Sequence, residues 1–386
     1  MRIAAIRPVV VGARMRNWIF VRVETDGGVV GWGECTTEWK TRAVAGCVED
    51  FAPFVIGQDP LRTEHLWQVM SRQAFYRGGI VAMSALSGID QALWDVAGQV
   101  RGVPVYELLG GAVRDRVRLY DHLGGGDPDA VYETFTPEAA AELARASVAE
   151  GFTAVKAVFV PRTGYLEGPG PVHLLERLTR ALRDAVGDGV DIMLDFHGRT
   201  TPAMGIRYGR AVAPYAPLFI EEPCPPENVE AMAEVARGKP CPVATGERLV
   251  GRFQFRPLLE QRACAVVQAD VGHCGGLSEI KRIAAMAEAY YVAMAPHNPA
   301  GPIAQAAALH FALSTPNFLI QEQMRADAPW RDDIVDAPLR RDGGYALAPT
   351  RPGLGLAVDE REAAKHPMAQ EPLLRYFHDD GSVADW

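Results

Sequence analysis

From about residue 116 to residue 325 the chain repeats one theme: a short apolar run, a turn, a helical stretch, then another apolar run. Eight runs stand in line: Val117 to Tyr120, Ala154 to Val160, Asp191 to Phe196, Leu218 to Glu221, Pro242 to Gly246, Ala265 to Val271, Tyr291 to Ala295 and Phe318 to Glu322. A run that is apolar almost throughout, rather than alternating, reads as a strand buried on both faces, the condition of parallel strands covered by crossover helices. Helix signals fall between them. Thr136-Pro137-Glu138 offers an N-cap followed by proline at the first helical position, and Gly151 stops that helix. Eight strands alternating with helices over about 210 residues predict an α/β fold of the (β/α) barrel type.

The flanks have a different texture. Residues 1 to about 115 predict a mixed α+β unit, with a strand over Trp18 to Thr25, a hairpin signal at Asp26-Gly27-Gly28 and a returning strand over Val29 to Glu34. Helices are expected over Thr41 to Phe54, Thr63 to Tyr76 and Ala82 to Arg101, the last carrying Ala85, Ile89, Ala92, Leu93 and Val96 at helical spacing. Residues 326–386 are rich in proline and glycine and predict an irregular segment that packs back on the rest. The expected division is 1–115, 116–325 and 326–386.

Ionisable residues recur at the ends of the later apolar runs: Asp195 and His197, Glu221, Glu247, Asp270, His297 and Glu322, in steps of 23 to 27 residues. In a barrel the carboxyl ends of the strands share one face, so these side chains converge on one cavity. Charges at buried strand ends are unfavourable unless paired or metal-bound. Asp195, Glu221 and Glu247 on adjacent strands suit a hard cation with oxygen ligands, Mg2+ first; the alternative is separate ion pairs with Arg199 and Arg248. Glu222 is set aside because alternation turns it the other way. His197, two residues beyond Asp195, is expected on the same strand face. His297 stands in Pro296-His297-Asn298-Pro299, a rigid loop that fits either a catalytic or a structural histidine, and His273 is balanced between loop packing and substrate contact. Lys156 reads as an electrostatic contact near the metal or as a structural ion pair.

The net charge of −9 comes without a basic cluster, so nucleic acid is not an expected partner. No apolar stretch is long enough to span a bilayer and the N-terminus lacks a signal-peptide pattern, so the expectation is a cytoplasmic protein with no membrane partner. The six cysteines are scattered and read as small core hydrophobes.

Several runs together resemble the enolase superfamily, in its mandelate racemase-type subgroup. They are Asp195-Phe196-His197-Gly198-Arg199, Phe219-Ile220-Glu221-Glu222-Pro223, Thr245-Gly246-Glu247-Arg248, Ala295-Pro296-His297 and Gln321-Glu322-Gln323. Ile56 to Pro60, Phe75 to Gly79, Gly88 to Asp95 and the terminal Ser382 to Trp386 are similar to the galactonate dehydratase family in particular. The resemblance implies a modified (β/α)7β TIM-type barrel with an α+β capping domain built from both chain ends. It implies that Asp195, Glu221 and Glu247 bind Mg2+ and that His297, oriented by Asp270, takes the proton α to the substrate carboxylate. His197 would protonate the departing 3-hydroxyl and Glu322 would hydrogen-bond the enediolate, with Lys156 and Arg199 as substrate contacts. The implied substrate is a sugar acid, an aldonate such as D-galactonate, in a homo-oligomer that could be an octamer. Related racemases carry a lysine where this chain has Val158, which argues against racemisation. Other reactions of the same intermediate, and a non-catalytic sugar-acid-binding role, stay as alternatives. Residues 12–18, 36–41 and 162–170 diverge from the family pattern and are expected to be loops over the distal hydroxyls.

Overall fold

Apolar, β-branched sequence opens the chain, and β1 (Ile3–Ala13) pairs antiparallel with β2 (Arg16–Thr25), to which β3 (Val30–Glu34) is added. The computed structural model describes residues 1–73, 75–125, 135–238, 241–325, 327–373 and 375–386. Residues 12–18, expected as a loop, are the tight end of the β1–β2 hairpin, with Arg14 in the left-handed region at φ 56°. Helices α1 (Thr41–Val55), α2 (Thr63–Arg72) and α3 (Gly79–Arg101) cover this sheet, and a short α4 (Val105–Leu108) leads out of it. The contact between α3 and β3 is backbone on backbone: a Cβ at Gly33 would run into the Gly88 carbonyl, and one at Gly31 into that of Ala92.

The barrel strands follow: β4 (Arg116–His122), β5 (Ala154–Val158), β6 (Asp191–Asp195), β7 (Phe219–Glu221), β8 (Val243–Thr245), β9 (Val266–Val267) and β10 (Ala293–Met294). They lie in chain order, each parallel to the last. β11 (Gln321–Gln323) returns to pair parallel with β4. Seven helices fill the crossovers among the described residues: α5 (Pro137–Ala149), α6 (Pro169–Val186), α7 (Pro202–Val212), α8 (Val229–Gly238), α9 (Arg252–Glu260), α10 (Gly276–Ala289) and α11 (Pro302–Leu313). This is a barrel-type α/β domain of (β/α)7β order under an α+β cap. The ring is not closed by a continuous ladder: between β10 and β11 a single bridge joins Met294 to Phe318. Pro296 brings no N–H to carry β10 further. A hairpin of β12 (Arg341–Asp342) and β13 (Tyr345–Leu347) then pairs antiparallel with residues 116–118, along the edge of β4 just ahead of β11.

Tyr120, Ala154, Met193, Phe219, Ala244, Val266, Ala295 and Ile320, one from each strand or its immediate edge, form an apolar plug. Two residues on from each stand His122, Lys156, Asp195, Glu221, Gly246, Gln268, His297 and Glu322. Because side chains alternate with period two, the plug sets the layer directly above it, and that layer carries the charges. The last stretch of chain runs along the cap. The His366 carbonyl accepts from Gly12 N–H at 2.8 Å, Asn17 exchanges hydrogen bonds with the Ala369 backbone, and Glu371 accepts from Trp39 N–H at 2.8 Å and from Thr41. Cys35, Cys224, Cys264 and Cys274 are buried and all six cysteines are free. Among the described residues no helix is long and apolar enough to cross a membrane.

Candidate active site

A cavity of about 260 Å³ opens at the carboxyl ends of the barrel strands, beneath the cap. Lys156, Asp195, His197, Glu247, Asp270, His297 and Glu322 all line it, with His122, Arg248 and His273. The alternation of β5 puts Lys156 in the middle. Its Nζ donates to both oxygens of Glu221, at 2.9 and 3.0 Å, and lies 3.0 Å from Glu322 Oε1 and 3.5 Å from Asp195 Oδ2. Burial opposes that charge, but Glu221 and Glu322 outweigh it and hold the ammonium well above the usual lysine range.

Asp195 and Glu221 are register partners on β6 and β7, and Glu247 follows β8 after the positive-φ Gly246. Burial and the charge of Asp195 push Glu221 well above the ordinary carboxylate range, with Lys156 as a partial offset. Glu247 is raised by burial and by Glu222 and Asp195, against the pull of His297. Burial opposes ionisation of Asp195 too, yet Lys156 and His197 hold it low. Three crowded oxygen donors that repel one another fit a hard divalent cation, which would relieve the repulsion. In this conformation no three His, Cys, Asp or Glu groups among the described residues close on a shared point. The Lys156 ammonium bridges Asp195, Glu221 and Glu322. Gln268 stands in the same layer, buried, with neither its amide oxygen nor its nitrogen hydrogen-bonded among the described residues.

His297 is held from behind. Its Nδ1–H donates to Asp270 Oδ2 at 2.8 Å, which turns Nε2 towards Glu247, 3.8 Å from Oε2. Burial works against the imidazolium, but Glu247, Asp270 and Glu322 carry it to about 10. Asp270 stays ionised below its usual value in spite of burial, helped by His273 and His297 and by Gly272 N–H at 2.6 Å. His273 lies 3.8 Å from Asp270 Oδ2 and 2.8 Å from Ser84 Oγ on α3, and burial lowers it. Glu322 accepts from His122 Nδ1–H at 3.1 Å and from Asn298 N–H at 2.8 Å. Burial opposes its charge, but Lys156 and His122 hold it well below the carboxylate range.

Two expectations need correction. His197 does not project by strand alternation from Asp195: β6 ends at Asp195, and the chain turns through His197 at φ 57° and Gly198 at φ 65°. The turn still brings it to the cavity, where its N–H donates to Asp195 Oδ1 at 2.7 Å. Its side chain is half-buried and its ring meets Trp386 edge to face, centroids 4.5 Å apart. Burial, with Arg199 and Arg248 acting against Asp195, pushes it to about 3. The same turn swings Arg199 away from the cavity. It donates to the Val160 carbonyl at 2.9 Å, lies over the Tyr376 ring at 5.1 Å and, like Glu221, is not among the residues that line the cavity. Arg248 pairs with Glu222 at 2.6 Å, and Glu222, set aside from the sequence, is a buried anchor that also accepts from Thr245 and from Gly246 N–H.

Among the lining residues, His122 was not singled out from the sequence, while Arg16 lies in the divergent segment 12–18 and Trp386 in the terminal run that carries the resemblance, neither with a role of its own. His122 lies past the polar Asp121, where the first run was read to end; the plug position Tyr120 and period two would have found it. Arg16 comes from the β1–β2 hairpin, buried, donating to the Pro299 carbonyl and lying 3.1 Å from Glu38 Oε1. Trp386 comes from the far end of the chain, and no local pattern places it. Of the divergent segments, 12–18 and 36–41 reach the cavity through Met15, Arg16, Thr36, Glu38 and Trp39; none of 162–170 lines it.

The family model for the mandelate racemase / muconate lactonizing enzyme N-terminal domain matches residues 4–110, and the enolase C-terminal domain-like model matches residues 138–363. A D-galactonate dehydratase of Ralstonia nicotianae is 42% identical over 380 residues, covering 96% of this chain and 97% of that protein. A mandelate racemase/muconate lactonizing enzyme from a Sulfitobacter species superposes with a TM-score of 0.89 at 39% identity, covering 96% of this chain and 97% of that one. A crystal structure of an enolase from Agrobacterium radiobacter, bound to sodium and L-malate, superposes with a TM-score of 0.91 at 34% identity over 100% of both chains.

Proposed function

This chain belongs to the mandelate racemase/muconate lactonizing enzyme family of the enolase superfamily and is a hydro-lyase acting on a sugar acid, and we propose that its substrate is an aldonate, D-galactonate first. The product would be the 2-keto-3-deoxy acid. The observation that carries the reading is the pair of histidines in one cavity with the carboxylates: His297 backed by Asp270 at 2.8 Å, and His197 next to Asp195.

Asp195, Glu221 and Glu247 would hold Mg2+, which when bound supplies the Lewis acidity that makes a proton next to a carboxylate abstractable. His297 takes the C2 proton through Nε2, since Nδ1 is committed to Asp270. Lys156 and Glu322, locked to each other at 3.0 Å, face the carboxylate end of the substrate; Glu322 receives the hydrogen bond of the hydroxyl next to it. His197 stands at the leaving 3-hydroxyl. Val158 lies where racemases of the family carry a second base, and an apolar side chain cannot exchange a proton from that side.

A second reading of the proton's path has one observation in its favour. Burial and the nearby Arg199 and Arg248 push His197 to about 3, so its ring is neutral, and the imidazolium formed at His297 could itself deliver the proton to the departing hydroxide. Replacement separates the two. If His197 is the acid, His197→Asn blocks dehydration yet allows exchange of the C2 hydrogen with deuterated water, whereas His297→Asn loses both. Dehydration surviving in His197→Asn establishes the single-histidine route. The substrate itself is tested by incubating the enzyme and Mg2+ with a panel of aldonates and aldarates and scoring 2-keto acid. D-Galactonate among the fastest is the expected result, and no turnover of any aldonate rejects the proposal.

A further inference from the structure

His297 is oriented by a carboxylate; His197 is not. Its Nδ1 is buried without a hydrogen-bond partner among the described residues, and the ring is held by a hydrogen bond to the Trp386 backbone rather than by a carboxylate as Asp270 holds His297. What touches the ring is Trp386, edge to face at 87° with centroids 4.5 Å apart. Trp386 in turn meets Trp39 of the cap edge to face, at 4.7 Å and 84°. Edge-to-face pairs of this separation are attractive and directional, so a ring clamped by one has a preferred plane.

The segment carrying Trp386 is tied down along its length. Trp39 Nε1 donates to the Pro372 carbonyl at 2.8 Å, and Arg199 and Arg162 both lie over the Tyr376 ring. A narrow turn then folds the chain back, with His378 N–H donating to Ser382 at 2.8 Å and Ala384 N–H to Tyr376 at 3.1 Å. That turn aims Trp386 into the cavity.

We infer that Trp386 is a positioning residue for His197, setting the plane of its ring against the leaving-group side of the substrate. The inference rests on the reading of His197 as the proton donor to the 3-hydroxyl. Arg199 finds its purpose here as well: it steadies Tyr376 and the turn that presents Trp386.

The test uses the full chain with Mg2+ and D-galactonate, comparing Trp386→Ala, Trp386→Phe and His197→Asn. Two rates are measured on each sample: dehydration, and exchange of the C2 hydrogen in deuterated water. Their ratio does not depend on how much of a variant is folded. Trp386→Ala is expected to lose dehydration about 10²-fold in kcat while exchange stays within a few-fold of wild type, as a misplaced catalytic group does. Trp386→Phe, which keeps an aromatic edge, is expected to recover most of the ratio. An unchanged ratio in Trp386→Ala, whether or not KM rises, overturns the inference and leaves Trp386 as a binding wall. Equal loss of both rates overturns it too, because the lesion then lies at C2. If His197→Asn dehydrates at the wild-type rate, the reading of His197 fails instead, and that outcome is separate from any result at Trp386.

Discussion

The ammonium of Lys156 lies within 3.5 Å of Asp195, Glu221 and Glu322, so the charge balance at the bottom of the cavity is that of one cation serving several buried anions. Glu221 is pushed up by burial and by Asp195 and Glu247, with Lys156 as a partial offset. Glu221→Gln keeps the shape and the Lys156 contact while removing one anionic ligand. We expect it to stay folded, to lose turnover by roughly 10³-fold or more and to bind Mg2+ much more weakly; wild-type activity and affinity in that variant would refute the ligand assignment. His297 carries a linked consequence. Glu247, Asp270 and Glu322 hold it at about 10, so without metal it is protonated at neutral pH and cannot act as a base. A divalent ion held by Glu247 would offset the largest of those attractions, and the imidazolium would then hold its proton less tightly. Mg2+ affinity should therefore rise with pH from 7 towards 10 and level off above it, because imidazolium competes with the ion below that value. Calorimetric titrations at pH 8 in two buffers of different ionisation heat should show release of about one proton per ion bound; heats identical in both buffers would contradict the coupling.

At the scale of elements, the eight-strand order and the cap helices were legible because burial on both faces and helical spacing are local patterns. Strand ends were not. The run Ala265 to Val271 is apolar apart from Gln268 and Asp270, but only Val266–Val267 is strand; Ala269 and Val271 are buried as loop, and a hydrophobic run reports burial rather than a ladder. The first run was stopped at Tyr120 by the polar Asp121, which the fold satisfies with Ser147 and with Arg325 at 2.9 Å. The hairpin at 12–18 turns at Arg14 in the left-handed region, where no glycine marks the turn in the sequence. Most of the site layer could be read, by counting two residues past each plug position, whereas contacts from Trp39 to Glu371 and Pro372 span more than 300 residues and leave no local trace. The β3–α3 contact yields a stability prediction. A methyl at Gly33 meets the Gly88 carbonyl and the Ala92 nitrogen, both backbone atoms of a long helix that cannot swing aside. Gly33→Ala should destabilise the fold by about 1–3 kcal/mol, read as a fall in the denaturant midpoint, while Gly28→Ala in the open turn should show only the smaller effect of its positive φ.

Across the whole molecule, cap, barrel and tail are fastened by buried carboxylates of the cap that accept hydrogen bonds from the ends of other elements. Glu34 accepts from Gly301 and Ala304 N–H at the start of α11, Asp90 from Ser278 N–H and hydroxyl at the start of α10, and Asp95 from Trp32 and Leu354 N–H. Such ends favour negative charge, but burial is the stronger influence and raises Asp90 to about 7 and Asp95 to about 6, from 3.8 in an open chain. The sign follows from the direction of the shift. A carboxyl that holds its proton more tightly when folded contributes stability in full below the unfolded value, and that contribution is lost as pH rises through the folded one. These two groups alone therefore weaken the fastening of the cap to α10 and to the C-terminal segment between about pH 4 and pH 7. Asp90→Asn keeps an acceptor for Ser278 and cannot ionise. Its melting temperature should lie near or below that of wild type at pH 5, and the difference should shift in the variant's favour as pH rises to 8.5, on the order of a few kcal/mol across the window. A difference that stays constant from pH 5 to 8.5 would mean that Asp90 is ionised throughout, with the α10 N-terminus outweighing burial.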